Sequence, residues 1–101
     1  MSRTHNIDEL NKIARHINVG KTVTEICDLL DCKLTTLNMR LRRNPHFFIS
    51  KLQNVKYETL VRLLEKKRDS FSIHLAIDIP NVLASEAIKL WKNQDFPERK
   101  V

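Results

Sequence analysis

Three groups of residues in this chain have types and spacings that could do chemistry. Gly20-Lys21-Thr22 is how a phosphate-binding loop ends. Cys27 and Cys32, with His16 or His46, offer thiolate and imidazole donors to a metal. Arg40, Arg42 and Arg43, with Lys33 nearby, concentrate cations that could hold a polyanion.

The first two groups are better explained by structure. A phosphate loop needs an earlier glycine, five residues before the last, so that backbone N–H groups curl toward the phosphates. Arg15 stands in that place, and the chain contains a single glycine. The loop should also follow a buried strand, whereas residues 7–18 have helical period. Gly20 therefore reads as the end of one helix and Thr22 as the start of the next. The cysteines fall at apolar positions, where a free thiol acts as a small hydrophobe, so no metal is expected. The carboxylates Asp28, Asp31, Glu58 and Glu65 are scattered, and no Ser-His-Asp or Cys-His grouping has recognisable context. Neither catalysis nor a cofactor is expected.

The arginines depend on the helices that carry them. Residues 1–5 read as a tail. Ile7, Leu10, Ile13, Ala14 and Ile17 then make one helical face, with Asn6 as its cap and Gly20 as its αL stop. Thr22 and Glu25 have capping-box spacing, and Ile26, Leu29 and Leu30 supply a second buried face. After the break at Asp31-Cys32-Lys33, a third helix places Leu34, Leu37 and Leu41 inward. Asn44-Pro45 ends it. The opposite face carries Thr35, Thr36, Met39, Arg42 and Arg43, flanked by Asn38 and Arg40.

Beyond residue 46 the pattern changes. Phe47, Phe48, Ile49 and Leu52 fit a short helix or a short strand. Tyr57, Leu60, Val61 and Leu64 define a helix over about 56–68. In the next segment Phe71, Ile73, Leu75, Ile77 and Ile79 alternate with Ser72, His74, Ala76 and Asp78, which predicts a half-buried strand over about 70–79 with His74 on its polar side. A last helix would turn Val82, Ala84, Ala87, Ile88 and Trp91 inward, and residues 95–101 read as a tail. No internal repeat is evident. The expected fold is mainly α: three helices, then a helix, one strand and a C-terminal helix.

A single strand leaves its backbone groups unpaired on both edges. Its partner could be residues 47–52, or the same strand of a second copy. The second choice is preferred and makes a homodimer, with Phe71, Ile73, Leu75, Ile77, Ile79 and Trp91 at the interface. This divides the chain into a nucleic-acid-binding region over 1–46 and a dimerisation region over 47–101.

The residues in "TVTEICDLLDCKLTTLNMRLRR" resemble helix-turn-helix DNA-binding proteins of the three-helix, resolvase and homeodomain-like type, over residues 6–44. Ile26 takes the first core place, Cys27 the slot for a small side chain, Leu30 packs beneath the turn, and Thr35-Thr36-Leu37 opens the recognition helix. Two positions depart from that pattern. Asp31 stands where glycine is usual, and Lys33 where Ser or Thr caps the helix. The resemblance implies that this helix enters the major groove. Arg42 or Arg43 would bind guanine, Asn38 adenine, and Met39 or a threonine methyl a thymine methyl. Arg40 would lie at the edge of the contact, and Lys33, Lys21 and Lys12 would meet phosphates. More faintly, "LTTLNMRLRRNPHFFISKL" resembles phage small terminase subunits, and residues 71–91 resemble the strand and first helix of ribbon-helix-helix proteins.

Composition agrees with a polyanion partner. Eighteen Lys and Arg face twelve Asp and Glu, a formal charge of +6 on 101 residues. The N-terminal stretch lacks the long apolar run of a secretory signal, and no segment is apolar enough for a membrane span. Two cysteines without such a signal suit a reducing cytoplasm. The expectation is a cytoplasmic, sequence-specific transcriptional regulator of a phage or mobile element. It would be a repressor that binds a palindromic operator in double-stranded DNA as a homodimer. Two alternatives stand beside it: a small-terminase-like DNA recognition subunit, and a protein-interaction module that binds RNA polymerase or a host factor.

Overall fold

Among the described residues seven helices follow one another: α1 (Ser2–Asn18), α2 (Val23–Leu30), α3 (Leu34–Arg43), α4 (Pro45–Ser50), α5 (Asn54–Glu65), α6 (Ser70–Ile77) and α7 (Asn81–Lys92). The computed structural model describes residues 2–98, with side chains from residue 7 onward. No strand occurs among the described residues.

The first three helices begin and end for local reasons. Helix α1 starts at Ser2, so residues 2–5 belong to it rather than to a tail, and Asn6 lies within the helix. Met1 and the Asn6 side chain lie outside the described residues, as do residues 99–101 of the expected C-terminal tail. Gly20, at φ +85°, closes α1 with the amides of Gly20 and Lys21 donating to Ile17 O and His16 O. An L side chain is disfavoured at that φ. Thr22 and Glu25 form the expected capping box. Thr22 Oγ1 accepts from the Glu25 amide at 3.1 Å, and Glu25 Oε1 accepts from the Thr22 amide at 2.8 Å. Asp31 ends α2 in the left-handed region, at φ 53° and ψ 50°. Asn44 ends α3, and Pro45 is the first residue of α4, where its missing N–H costs nothing. The stretch that could have been helix or strand is thus a helix, burying Phe48 and Ile49.

The strand expected over 70–79 is not formed; Ser70–Ile77 is α6. Asp69 caps it, accepting from the Ser72 amide at 2.8 Å, and Asp78 closes it at φ 54°. A helix pairs most of its own backbone groups, whereas a lone strand needs a neighbouring strand, and none occurs among the described residues. The alternating apolar residues sort differently on this geometry. Ile73 and Ile77, one turn apart, are buried, as is Ile79 just past the helix end. Phe71 and Leu75 also stand one turn apart, on the opposite side, and are 61% and 60% exposed. The ribbon interface is therefore overturned. Three of its members belong to the chain's own core, two face outward, and Trp91 is half-buried against Phe96. His74 is half-buried as well, its ring bonded to Ile79 O.

Helix α7 sits at the centre, packed against α3, α4 and α6. Leu83, Ala84 and Ala87 are fully buried there, the two alanines permitting close approach. Val82, Ile88 and Trp91, expected inward, are half-buried, while Leu83 and Leu90 take the deeper places. Three other expected core residues are exposed: Ile7 at 51%, Leu29 at 56% and Leu34 at 48%.

One regularity escaped the sequence. The three-helix plan occurs twice, at one constant spacing. Helix α1 ends at Asn18 and α5 at Glu65. Left-handed residues follow at Gly20 and Lys67, and N-caps at Thr22 and Asp69. Helices α2 and α6 each have 8 residues. They close on Asp31 and Asp78 with nearly the same dihedrals, and the extended residues Lys33 and Pro80 precede α3 and α7. The turn hydrogen bonds repeat too: Gly20 N to Ile17 O and Lys21 N to His16 O match Lys67 N to Leu64 O and Arg68 N to Leu63 O. Ile26 and Ile73, equivalent in the two units, are both fully buried. Few of the paired residues are identical, so the repeat lies in caps, turns and burial rather than in letters.

Candidate nucleic-acid interface

Helix α3 carries the arginines, and three features fix its orientation. Leu37 and Leu41, one turn apart, are fully buried and hold its inner face. Its C-terminal turn is tied off by Asn44, whose Nδ2 donates to Arg40 O at 2.9 Å. Its flank is pinned to α1 by the Arg40 guanidinium, which donates to Glu9 at 2.7 Å.

The outer face then follows from helical geometry. Thr35, Met39, Arg42 and Arg43 are exposed and Thr36 is half-buried. Met39 is 40% exposed. The helix contains no acidic residue. Lys33 takes the N-cap position in extended conformation, with no side-chain capping bond. The first amides of α3 are therefore not capped by their own N-cap side chain, and the exposed Lys33 stands beside the positive end of the helix dipole. At the other end Arg40, Arg42 and Arg43 oppose the negative end of the dipole, which accounts for part of their stabilising value.

Not every expected contact residue joins this face. Arg40 is spoken for by Glu9, and its Nε is buried without a hydrogen-bond partner, so it braces the helix instead of facing outward. Asn38 is half-buried on the other flank. Lys21 is exposed but borders a different cleft, of about 290 Å3, lined also by Thr22, His74, Asp78 and Asn81. Leu34 is exposed at the start of the helix, an apolar residue that periodicity had assigned to the core.

Cys27 lies in α2 and Cys32 in the turn before α3. Cys27 is buried and Cys32 half-buried, both as free thiols. Burial, and then the neighbouring Cys27 thiol, push the Cys32 pKa up, so this thiol stays protonated at neutral pH. Among the described residues no group of three or more His, Cys, Asp or Glu side chains is placed to hold a metal ion. No helix among them is long and apolar enough to cross a membrane. No protein-family model matches the chain, and neither a curated protein nor a solved structure is significantly similar to it.

Proposed function

We propose that the chain is a sequence-specific DNA-binding protein in which α2 and α3 act as a helix-turn-helix and α3 reads the major groove. One observation carries this reading. The outer face of α3 combines Thr35, Met39, Arg42 and Arg43, free of carboxylates and open to solvent, while Leu37 and Leu41 lock the inner face. Exposed arginines on a rigid helix can form paired hydrogen bonds to guanine, and the methionine and threonine supply methyl contacts to thymine. The formal charge of +6 favours association with a polyanion.

The finer form of the proposal is transcriptional repression by occupancy, on a palindromic site bound by two copies. With the ribbon gone, that symmetry rests on the usual behaviour of small major-groove readers, whose half-sites lie about 34 Å apart. Selection of bound sequences from a random duplex pool tests every level of the reading. A palindromic winner supports the two-copy repressor. A single asymmetric site supports one chain per site, and a ring-sized assembly on the DNA supports the terminase-like alternative. No enrichment, with affinity that barely responds to salt, would leave the protein-interaction alternative.

A further inference from the structure

The two three-helix units differ in charge at the turn between their first and second helices. In the first unit the turn between its first and second helices reads Val19-Gly20-Lys21. In the second it reads Lys66-Lys67-Arg68. Lys67 adopts φ 59° at the position that glycine fills in the first unit. It ends α5 through the same pair of backbone hydrogen bonds, so the difference between the turns is one of charge. The third helices differ beside the same turn. Leu41 is fully buried, whereas its counterpart Ile88 is half-buried. The space left beside it is a cleft of about 630 Å3, between the α5–α6 turn and the last turns of α7.

The cleft has a floor and a rim of different chemistry. Leu64, Ile88 and Trp91 make the apolar floor, and Lys67, Arg68 and Lys92 contribute cations to the rim. Trp91 packs against Phe96 in a T-shaped contact, ring centres 5.4 Å apart. Two carboxylates also line the cleft: Asp69, whose Oδ1 accepts from the Ser72 amide, and Glu65, an acceptor for an amino group.

We propose that this cleft binds a phosphorylated nucleobase, which stacks on Trp91 while Lys67, Arg68 and Lys92 hold the phosphate. Flat aromatic surface beside clustered cations is the arrangement that takes unpaired nucleotides, because every base has a π-face and every nucleotide a charge. The size suits one such group, since ligand sites commonly span about 300–1,000 Å3. The ligand comes either as a free nucleotide or as one residue of a single strand. The site is separate from the α3 face and does not depend on it.

Trp91 is the only tryptophan in the chain, so its emission reports directly on the site. The full chain is titrated with GMP, with inorganic phosphate and with a purine-rich single-stranded 12-mer. GMP or the 12-mer should quench Trp91 saturably, and phosphate alone should not. Comparable affinities identify the free nucleotide as the ligand, and a 12-mer bound more than about tenfold tighter identifies a strand. The double variant Lys67→Ala/Arg68→Ala, and Lys92→Ala separately, should each weaken binding by about tenfold or more. Arg62→Ala, an exposed cation outside the cleft, should not. All four positions are exposed, and far-UV circular dichroism confirms that the variants remain helical. No saturable quenching up to about 1 mM, or quenching that survives the cation variants unchanged, would overturn the assignment.

Discussion

Glu9 of α1 and Arg40 of α3 meet at 2.7 Å, across the flank of the helix proposed to read DNA. The contact makes Arg40 a brace and leaves Arg42 and Arg43 as the outward cations. Both members are about one-third exposed, so solvent screens the pair, and it is worth about 0.2–1 kcal/mol. Arg40→Ala should lower stability by about that amount in a urea titration, with little change in base preference. If Arg40→Ala changed the selected sequence while Arg42→Ala did not, the roles would be reversed.

Arg42→Ala should cost about 1–3 kcal/mol on the selected duplex and relax preference at one base position. Binding to a panel of single-base variants measures this. An equal loss on all duplexes would assign Arg42 to the phosphate backbone.

Lys33 stands at the start of α3 without a capping role, so Lys33→Ala should not weaken the helix. It should lower affinity for all duplexes similarly and reduce the slope of log affinity against log salt by about one. An unchanged slope would remove Lys33 from the contact.

Helix α6 gives a test of the fold itself. Ile73 is fully buried and Leu75 is 60% exposed. Ile73→Ala should cost about 2–5 kcal/mol, whereas Leu75→Ala should stay within about 0.5 kcal/mol. An alternating strand would have buried both on one face and made the two costs alike. Denaturant unfolding of the pair decides between them.

Acid should loosen two helix starts. The Thr22 amide holds the Glu25 carboxyl below its usual range, and the Ser72 amide does the same for Asp69. A carboxyl with a depressed folded pKa adds stability that is present above its unfolded value. That stability is lost as pH falls through the folded value. Unfolding free energy should therefore drop as pH falls below about 4. Glu25→Gln and Asp69→Asn should flatten that dependence in a pH series of thermal melts.

The stops between the helices of the first unit were legible because they are local, whereas the start of α1 at Ser2 was not. Gly20, the Thr22–Glu25 spacing, Asp31 and Pro45 each act within a few residues, and a sequence displays such relations directly. The outward face of α3 was legible for the same reason, since Leu37 and Leu41 define it by period alone. The repeat was not, because the two units share caps and turns but few identities, and the left-handed φ common to Gly20 and Lys67 cannot be read from unlike letters.

Thus the sequence by itself determined the helical character of residues 7–43, the stops between those helices, and the cationic face of α3. Tertiary structure decided what depends on partners distant in the chain. It made α6 a helix that packs on α7 with Ile73 and Ile77 buried, and no strand occurs among the described residues to pair with it. It turned Arg40 to the flank of α3, where its guanidinium meets Glu9 at 2.7 Å. It left Trp91 half-buried on a cleft that Lys67, Arg68 and Lys92 also line. Burial and ion pairing are properties of neighbours in space, and only the folded chain supplies those neighbours.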